Sequence, residues 1–513
     1  MEIQKMNFKD IGRNIFKKRS LDELIATSKS SELKKTLNVF DLIIIGIGAV
    51  VGTGIFAIIG AAITGNAESV GAGHAIVISM ILAAVACVVP ALCYSEIASM
   101  VPVAGSAYTY TYATMGEFMA WMVGWILMLE YAIGNITVAS AWSGYFMQFL
   151  KGFKGCLPDF ILNIPIWLRY DYRAIYSMCD KYGWDIHDKV PFLFDKIPVA
   201  VNLPAVIIVV VLTLLLIKGV KESTRVASIM VGVNMFMILS FIIIGSHYVK
   251  PENWTPFLPT EPMQGILMGT FTIFFAYIGF DAISTAAEET EKPQRDLPVA
   301  ILGTLVICTI LYICVALVLT GIVPIDMIDI TAPLAHAMSF VGKDWFAGLI
   351  SIGALCALTT VLLVYQLGTT RILYAISRDR FLPRSWRAIH KKFRTPHIMT
   401  LISGFAVIVC GLFMDLKISA DLCNYGTFTS FVIICLAVLI LRRTNPDNNR
   451  PFKVPFCPVV PLLGILICLV LIFFSLNTLK TSSSYFVIWL VVGVLIYIFY
   501  GYNQKRIGEK KRS

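Results

Sequence analysis

"GIGAVVGTGIF", residues 46–56, decides how this chain is read. It lies in an apolar run over residues 40–65, yet it holds Gly46, Gly48, Gly52 and Gly54 together with Thr53. Glycine in a helix interior costs about 1 kcal/mol against alanine, so four of them need a reason. Gly48-Ala49-Val50-Val51-Gly52 is a GxxxG match, and such pairs let two membrane helices pack closely. The other reading is that the helix breaks here in order to hold something.

The surroundings put this stretch in a membrane. The chain has 513 residues, 57% hydrophobic and 14% charged, where a soluble chain carries about a quarter charged residues. Twelve apolar stretches have the length of a membrane span. They fall near 40–65, 75–100, 115–150, 201–218, 226–248, 263–287, 299–323, 343–374, 398–415, 419–441, 458–477 and 485–502. A β-barrel would show short alternating segments instead. The expected fold class is therefore an all-α polytopic membrane protein with 12 transmembrane helices.

Residues 1–38 are polar and basic and contain no apolar core or small-residue cleavage site. They read as a cytoplasmic leader, one that could lie as an amphipathic helix on the membrane, and not as a signal peptide. The segments 378–394, 442–453 and 505–512 are strongly basic. With twelve spans they share one side with both termini, and the positive-inside rule makes that side the cytoplasm. The expected location is the cell (inner) membrane. The net charge of +10 fits loop anchoring, and no nucleic-acid partner is expected. Most of the 12 cysteines lie in apolar spans, as small hydrophobic filler. Cys156 and Cys179 share the long loop 151–200 and would form a disulfide only if that loop faces an oxidising space. In the same loop "PIWLRYDYRAIY" (165–176) reads as a short interfacial helix. No Cys/His spacing suggests a metal, and no cofactor is expected. There is no P-loop or nucleophile–base pair, so the chain does not read as an enzyme, and a gradient would supply any driving energy.

A second interrupted span supports the break reading. Residues 269–289, "GTFTIFFAYIGFDAISTAAEE", carry Gly279 and Asp281 near mid-depth. An ionisable residue there is a functional hypothesis by default. Span 1 opens the first five helices and span 6 the second five. Interrupted helices at corresponding positions of two halves point to a transporter built from inverted repeats. A half-helix starting near Gly54 presents N–H groups and a positive dipole end, which suit a carboxylate. Half-helices ending near Val50 and near Phe275 and Ala276 present carbonyls, which suit an ammonium. Glycines at 52 and 54 let a ligand approach the backbone. Opposite poles so close together suit a zwitterion such as an α-amino acid.

Several stretches, in order, carry a family resemblance. They are "GIGAVVGTGIF", "YSEIASMVPVAGSAYTYTY" (94–112), "FFAYIGFDAISTAAEET" (274–290), "SRDRFLP" (377–383) and "LRRTNPDNNRPFKVPF" (441–456). In these the chain resembles amino acid permeases of the amino acid–polyamine–organocation superfamily, and more narrowly bacterial relatives of the cationic amino acid transporters. The resemblance implies the leucine-transporter-type fold. Residues 39–250 would form helices 1–5, with 151–200 as an extracytoplasmic loop; 251–441 would form helices 6–10 as the inverted repeat, and 442–513 two more helices and a basic tail. It also implies alternating access around a midplane site. Carried over, Val50, Thr53 and Gly54 would meet the substrate's carboxylate or amine. Phe275, Ala276 and Ile278 would offer carbonyls and apolar contacts, and the Phe275 ring would help close the outer path. Asp281 would reach polar substrate side chains or stabilise the broken helix.

Two further positions bear on substrate and coupling. Glu130, in "ILMLEYAIGN", is a carboxylate inside span 3, expensive unless paired. It either meets a cationic side chain or shuttles a proton, or it bonds a neighbouring helix. With Asp281 it would make an acidic pocket suited to arginine, lysine or ornithine, though a broad neutral pocket also fits. Proton-coupled bacterial relatives place a lysine in span 5 against the first break, whereas "KESTRVASIMVGVNMFMI" (221–238) puts Asn234 there. Asn234 cannot titrate, so proton coupling is in doubt and exchange or facilitated diffusion becomes credible. Glu96 and the run 288–296 read as a cytoplasmic gate network with basic residues such as Arg371, or as solvated surface. His74 and His390 read as loop residues. The expected partners are an amino acid substrate and membrane lipids, with protons left open. An amino acid sensor on the same fold is the minor alternative.

Overall fold

Helix α1, Val39–Val50, opens on a capping box: the Asn38 side chain accepts from the Phe40 and Asp41 amides, and Asp41 accepts from the Asn38 amide. The helix stops where the sequence turns glycine-rich. Val51 is extended (φ −81°, ψ 92°), and helix resumes as α2, Gly54–Thr64, bent 41° from α1. The computed structural model describes residue 18 and residues 37–66, 69–101, 106–152, 158, 164–193, 197–218, 223–285, 290–379, 381–390, 392–393, 395–414 and 416–501. The leader 1–38 falls almost wholly outside the described residues, as do Cys156 of the expected cysteine pair and Glu288 and Glu289 of the 288–296 run.

The longer helices follow in order. They are α3 (Ile76–Met100), α4 (Ser106–Thr114), α5 (Glu117–Gly152), α6 (Tyr172–Tyr182), α7 (Leu203–Lys218), α8 (Ser223–Ser246) and α9 (Pro262–Ile273). After these come α10 (Pro293–Ile322), α11 (Pro333–Phe340), α12 (Asp344–Arg378), α13 (His397–Gly411), α14 (Leu416–Thr444), α15 (Val459–Thr478) and α16 (Lys480–Ile496). Among the described residues, strand is confined to two antiparallel ribbons, Gly65–Asn66 with Ser69–Val70 and Phe192–Leu193 with Ile197–Pro198. Among the described residues, eight helices are long and apolar enough to cross a membrane, or nine if the bent pair α1–α2 is counted as one span. Helices α7 and α13 are shorter apolar helices. The chain is thus a polytopic helical membrane protein.

Burial separates centre from rim. In α5 94% of the most apolar window lies inside the protein, against 28% in α8, α15 and α16. The rim helices turn Leu462, Leu466, Phe473, Ile488 and Val491 outward, which a hydrocarbon surround permits. Because lipid is as apolar as leucine, helix association there relies on close packing and polar bonds. Both are visible at α16. The Trp125 indole donates to the Trp489 carbonyl (2.8 Å) and the Trp489 indole to the Trp125 carbonyl (3.1 Å). Their rings stack with centroids 4.3 Å apart, and Trp121 donates to the Gly493 carbonyl at 2.9 Å.

The segment 165–176 is helical as expected, with a single 3-10 turn at Ile166–Leu168 followed by α6, which is capped by Asp171. It has a small core of its own, built on Ile175, Cys179, Val190 and Ala200. His74 departs from its loop assignment. It is buried, with Nδ1 on the Pro256 carbonyl at 2.9 Å, and so joins the start of α3 to the segment before α9.

Candidate functional site

Two interrupted segments meet at the centre. The first is the α1–α2 bend. In the second, α9 ends at Ile273, a 3-10 turn runs over Phe274–Tyr277, Ile278 is extended, and Gly279 takes φ +114° before Asp281. A Cβ on Gly54 would lie 2.1 Å from the Ala276 Cα, and one on Gly279 would lie 2.8 Å from the Ala49 carbonyl. The two breaks therefore touch backbone to backbone, and glycine is what permits it. The two readings of residues 46–56 turn out to apply to different glycines. Gly46 and Gly48 are packing positions, since added methyls would meet Thr304 and Val231 at 2.5 Å. Gly52 abuts Val361 of α12, and Gly54 makes the contact between breaks.

An interrupted helix leaves carbonyls that must be satisfied inside the membrane. The Tyr312 hydroxyl of α10 lies 3.0 Å from the Val50 carbonyl and 2.9 Å from the Ala276 carbonyl. A phenol has one proton to donate, yet it serves both breaks at once. Asn234 Nδ2 donates to the Val51 carbonyl at 3.1 Å. Asn234 thus faces the freed carbonyls of the first break, as expected. The Tyr145 hydroxyl donates to the Phe56 carbonyl at 2.6 Å and ties α2 to α5.

Every other expected site residue is buried around this junction. Thr53, Phe275, Ala276, Ile278, Glu130 and Asp281 are each at most 4% exposed. Asp281 accepts from the Tyr131 hydroxyl at 2.7 Å, and its backbone carbonyl accepts from the Ser284 amide and hydroxyl. It thereby braces the second break against α5. Glu130, next to Tyr131, keeps one carboxylate oxygen, Oε2, without a hydrogen-bond partner, and so do Thr53 Oγ1 and Asn234 Oδ1. Unpartnered polar atoms in so buried a place are costly, and a polar ligand would satisfy them. Among the described residues no group of three His, Cys, Asp or Glu could hold a metal.

Sequence reasoning did not single out Tyr312 or Tyr131. Each is a tyrosine in a largely apolar run, where filling space is an ordinary role, and only the fold brings Tyr312 between two carbonyls 226 residues apart in sequence (276 − 50). Glu96 does sit with basic residues, but they are Arg442 (2.6 Å) and Arg450 (3.5 Å), where the sequence offered Arg371 as the example.

The profile of the amino acid permease family matches residues 37–497. The chain belongs to the amino acid permease family. Similar chains include a methylthioribose transporter of Bacillus subtilis, 41% identical over 95% of this chain and 98% of the relative. A branched-chain amino acid permease of the same organism is 41% identical over 97% and 99%. A mitochondrial cationic amino acid transporter of Arabidopsis thaliana is 33% identical over 82% of this chain and 64% of its own length. The family is one of membrane transporters and not of enzymes, in agreement with the superfamily and cationic-transporter resemblance read from the motifs.

Proposed function

We propose that this chain is a secondary transporter that moves amino acids, cationic ones included, across the cell membrane by alternating access. In this reading α7, α13 and the interrupted segment 262–285 also cross, giving twelve spans, ten of them in two inverted five-helix repeats (39–250 and 251–441). The basic loops and both termini face the cytoplasm. The observation that carries the reading is the junction of the two breaks. Carbonyls of Val50 and Ala276 converge within hydrogen-bond distance of one hydroxyl, beside a helix start at Thr53 and Gly54. An α-ammonium fits the first group and an α-carboxylate the second. Phe275 and Ile278 supply apolar walls. Gly52 and Gly279 set the breaks, and Asn234 fills the position where a titratable lysine would couple protons.

The unpartnered Oε2 of Glu130 favours a cationic side chain, because a buried carboxylate gains most from an opposite charge. The apolar walls, together with a 41% identical branched-chain permease, favour the second reading, a broad neutral amino acid permease or exchanger. A counterflow screen of the twenty amino acids in proteoliposomes at two pH values tests both. Saturable arginine and lysine counterflow supports the first reading, and leucine and valine alone the second. No saturable flux of any amino acid would sink both. Substituting Glu130→Gln should weaken arginine uptake about tenfold more than leucine uptake, since a neutral ligand loses no charge pairing. With Asn234 in place of lysine, uptake should persist when the pH gradient is collapsed.

A further inference from the structure

At the basic end of the bundle, "LRRTNPDNNRPFKVPF" (441–456) folds around one guanidinium. Arg450 donates to the carbonyls of Leu441 (3.1 Å), Asn445 (2.6 Å), Pro446 (2.8 Å) and Asn448 (3.0 Å). This folded segment then grips the end of α3. Glu96, 1% exposed, accepts from Arg442 Nε (3.0 Å) and Nη2 (2.6 Å) and from the Val454 amide (2.7 Å), with Arg450 Nε at 3.5 Å. Arg442 also donates to the Val454 carbonyl at 3.0 Å.

The two arginines are not equivalent. Arg450 is 6% exposed and committed to four carbonyls, so it cannot leave without unfolding the segment. Arg442 is 27% exposed and reaches water. If Arg442 swings away, Glu96 keeps Arg450 and the Val454 amide, and Arg442 is hydrated. Neither state strands a buried charge, which is the condition for a usable two-state element. The position also fits. Toward its other end α14 is bonded to α5, through Thr137–Ser419 (2.9 Å) and the Cys423 thiol on the Glu130 carbonyl (3.2 Å). At the basic end it is bonded to α3. A relative movement of α3 and α5 must therefore strain α14, and the half-hydrated pair is where it gives.

We propose that the Glu96–Arg442 pair is a latch closing the α3–α14 seam at the basic end, and that it parts in the transport cycle while Arg450 stays with Glu96. Its role in transport rests on the reading above, but its state is measurable without any flux. Behind the latch the seam is dry. Cys93 lies one turn inward of Glu96, Cys435 lies two turns inward of Arg442, and both are fully buried. A Cβ on Gly464 of α15 would meet Val89 at 2.8 Å and the Cys435 sulfur at 3.1 Å.

The test is alkylation of the full-length protein in lipid nanodiscs with N-ethylmaleimide, read cysteine by cysteine by mass spectrometry. Arg442→Gln should raise the labelling rate of Cys93 and Cys435 at least about tenfold, the scale expected for loss of charge-assisted hydrogen bonds to a buried carboxylate. Arg442→Lys, which keeps a charge for Glu96, should stay close to the parent. Cys308, buried in α10, should remain protected in both. Unchanged protection of Cys93 and Cys435 in Arg442→Gln overturns the proposal. So does a rise that Cys308 shares in both variants, because that reports general loosening and no seam. Absence of amino acid flux would sink the transport reading and leave this labelling result standing.

Discussion

The two breaks at the centre use glycine in different ways. In the first break the backbone never enters the left-handed region. Thr53 is helical at φ −54° and Val51 is extended, so Gly52 and Gly54 are there for space alone. In the second, Gly279 combines close approach to Ala49 with φ +114°, a conformation that side chains with a Cβ avoid. One break is thus a matter of contact, and the other is a matter of contact and conformation. The contact is shared, because Gly54 of the first break exists to admit Ala276 of the second. A glycine-rich membrane helix is informative only once each glycine is matched with what it faces.

Substitutions can break or sharpen this contrast. The largest effect is expected from Gly54→Ala, whose methyl would sit 2.1 Å from backbone that cannot rotate away. Overpacking of this kind costs at least about 1–3 kcal/mol. Uptake should be abolished and the melting midpoint in detergent lowered, and normal uptake would refute a backbone contact between the breaks. Gly279→Ala comes next. Its strained φ costs about 1–3 kcal/mol, and its methyl meets a carbonyl oxygen at 2.8 Å. Here Gly279→Asn should recover part of the lost stability, because asparagine tolerates positive φ better than alanine, whereas Gly54→Asn should recover none. If both sites respond alike, the contrast between them fails. Tyr312→Phe removes the hydroxyl that both breaks share and leaves two carbonyls unsatisfied, at about 1–3 kcal/mol. The fall in uptake should be partial and should exceed that of Tyr145→Phe, which frees one. The smallest effect belongs to Gly232 of α8, where a Cβ meets nothing within 4 Å. Gly232→Ala should leave uptake unchanged and raise stability by up to about 1 kcal/mol. A loss of uptake there would mean that glycines in these helices matter for reasons other than the spaces described.

The breaks were legible because breaking an apolar helix needs residues that apolar helices avoid. Four glycines in eleven residues, and an aspartate seven residues after an aromatic pair begins, stand out against leucine and valine. Asn234 was legible by its place in the span 5 motif. The tyrosines were not. Tyr312 sits between Leu311 and Ile313 and Tyr131 between Glu130 and Ala132, and nothing local distinguishes a tyrosine bonded to a broken helix from one that fills space. The partners of Glu96 were hidden for a related reason. Both flanking motifs were conspicuous, at 94–112 and 441–456, but pairing them required knowing that α3 and α14 end at the same side. The expected amphipathic leader lies almost wholly outside the described residues, and so does Cys156 of the expected Cys156–Cys179 pair.

The interlocked indoles of α5 and α16 carry a practical consequence. Trp125 and Trp489 each donate to the other's carbonyl and stack face to face, so a slip of one helix along the other by a single residue would break both bonds at once. The pair acts as a vernier set to zero, and it fixes α16 to the most deeply buried helix. Whatever moves during transport, the emission of these two chromophores should hold still, which makes them an internal optical standard against which the other tryptophans can be read.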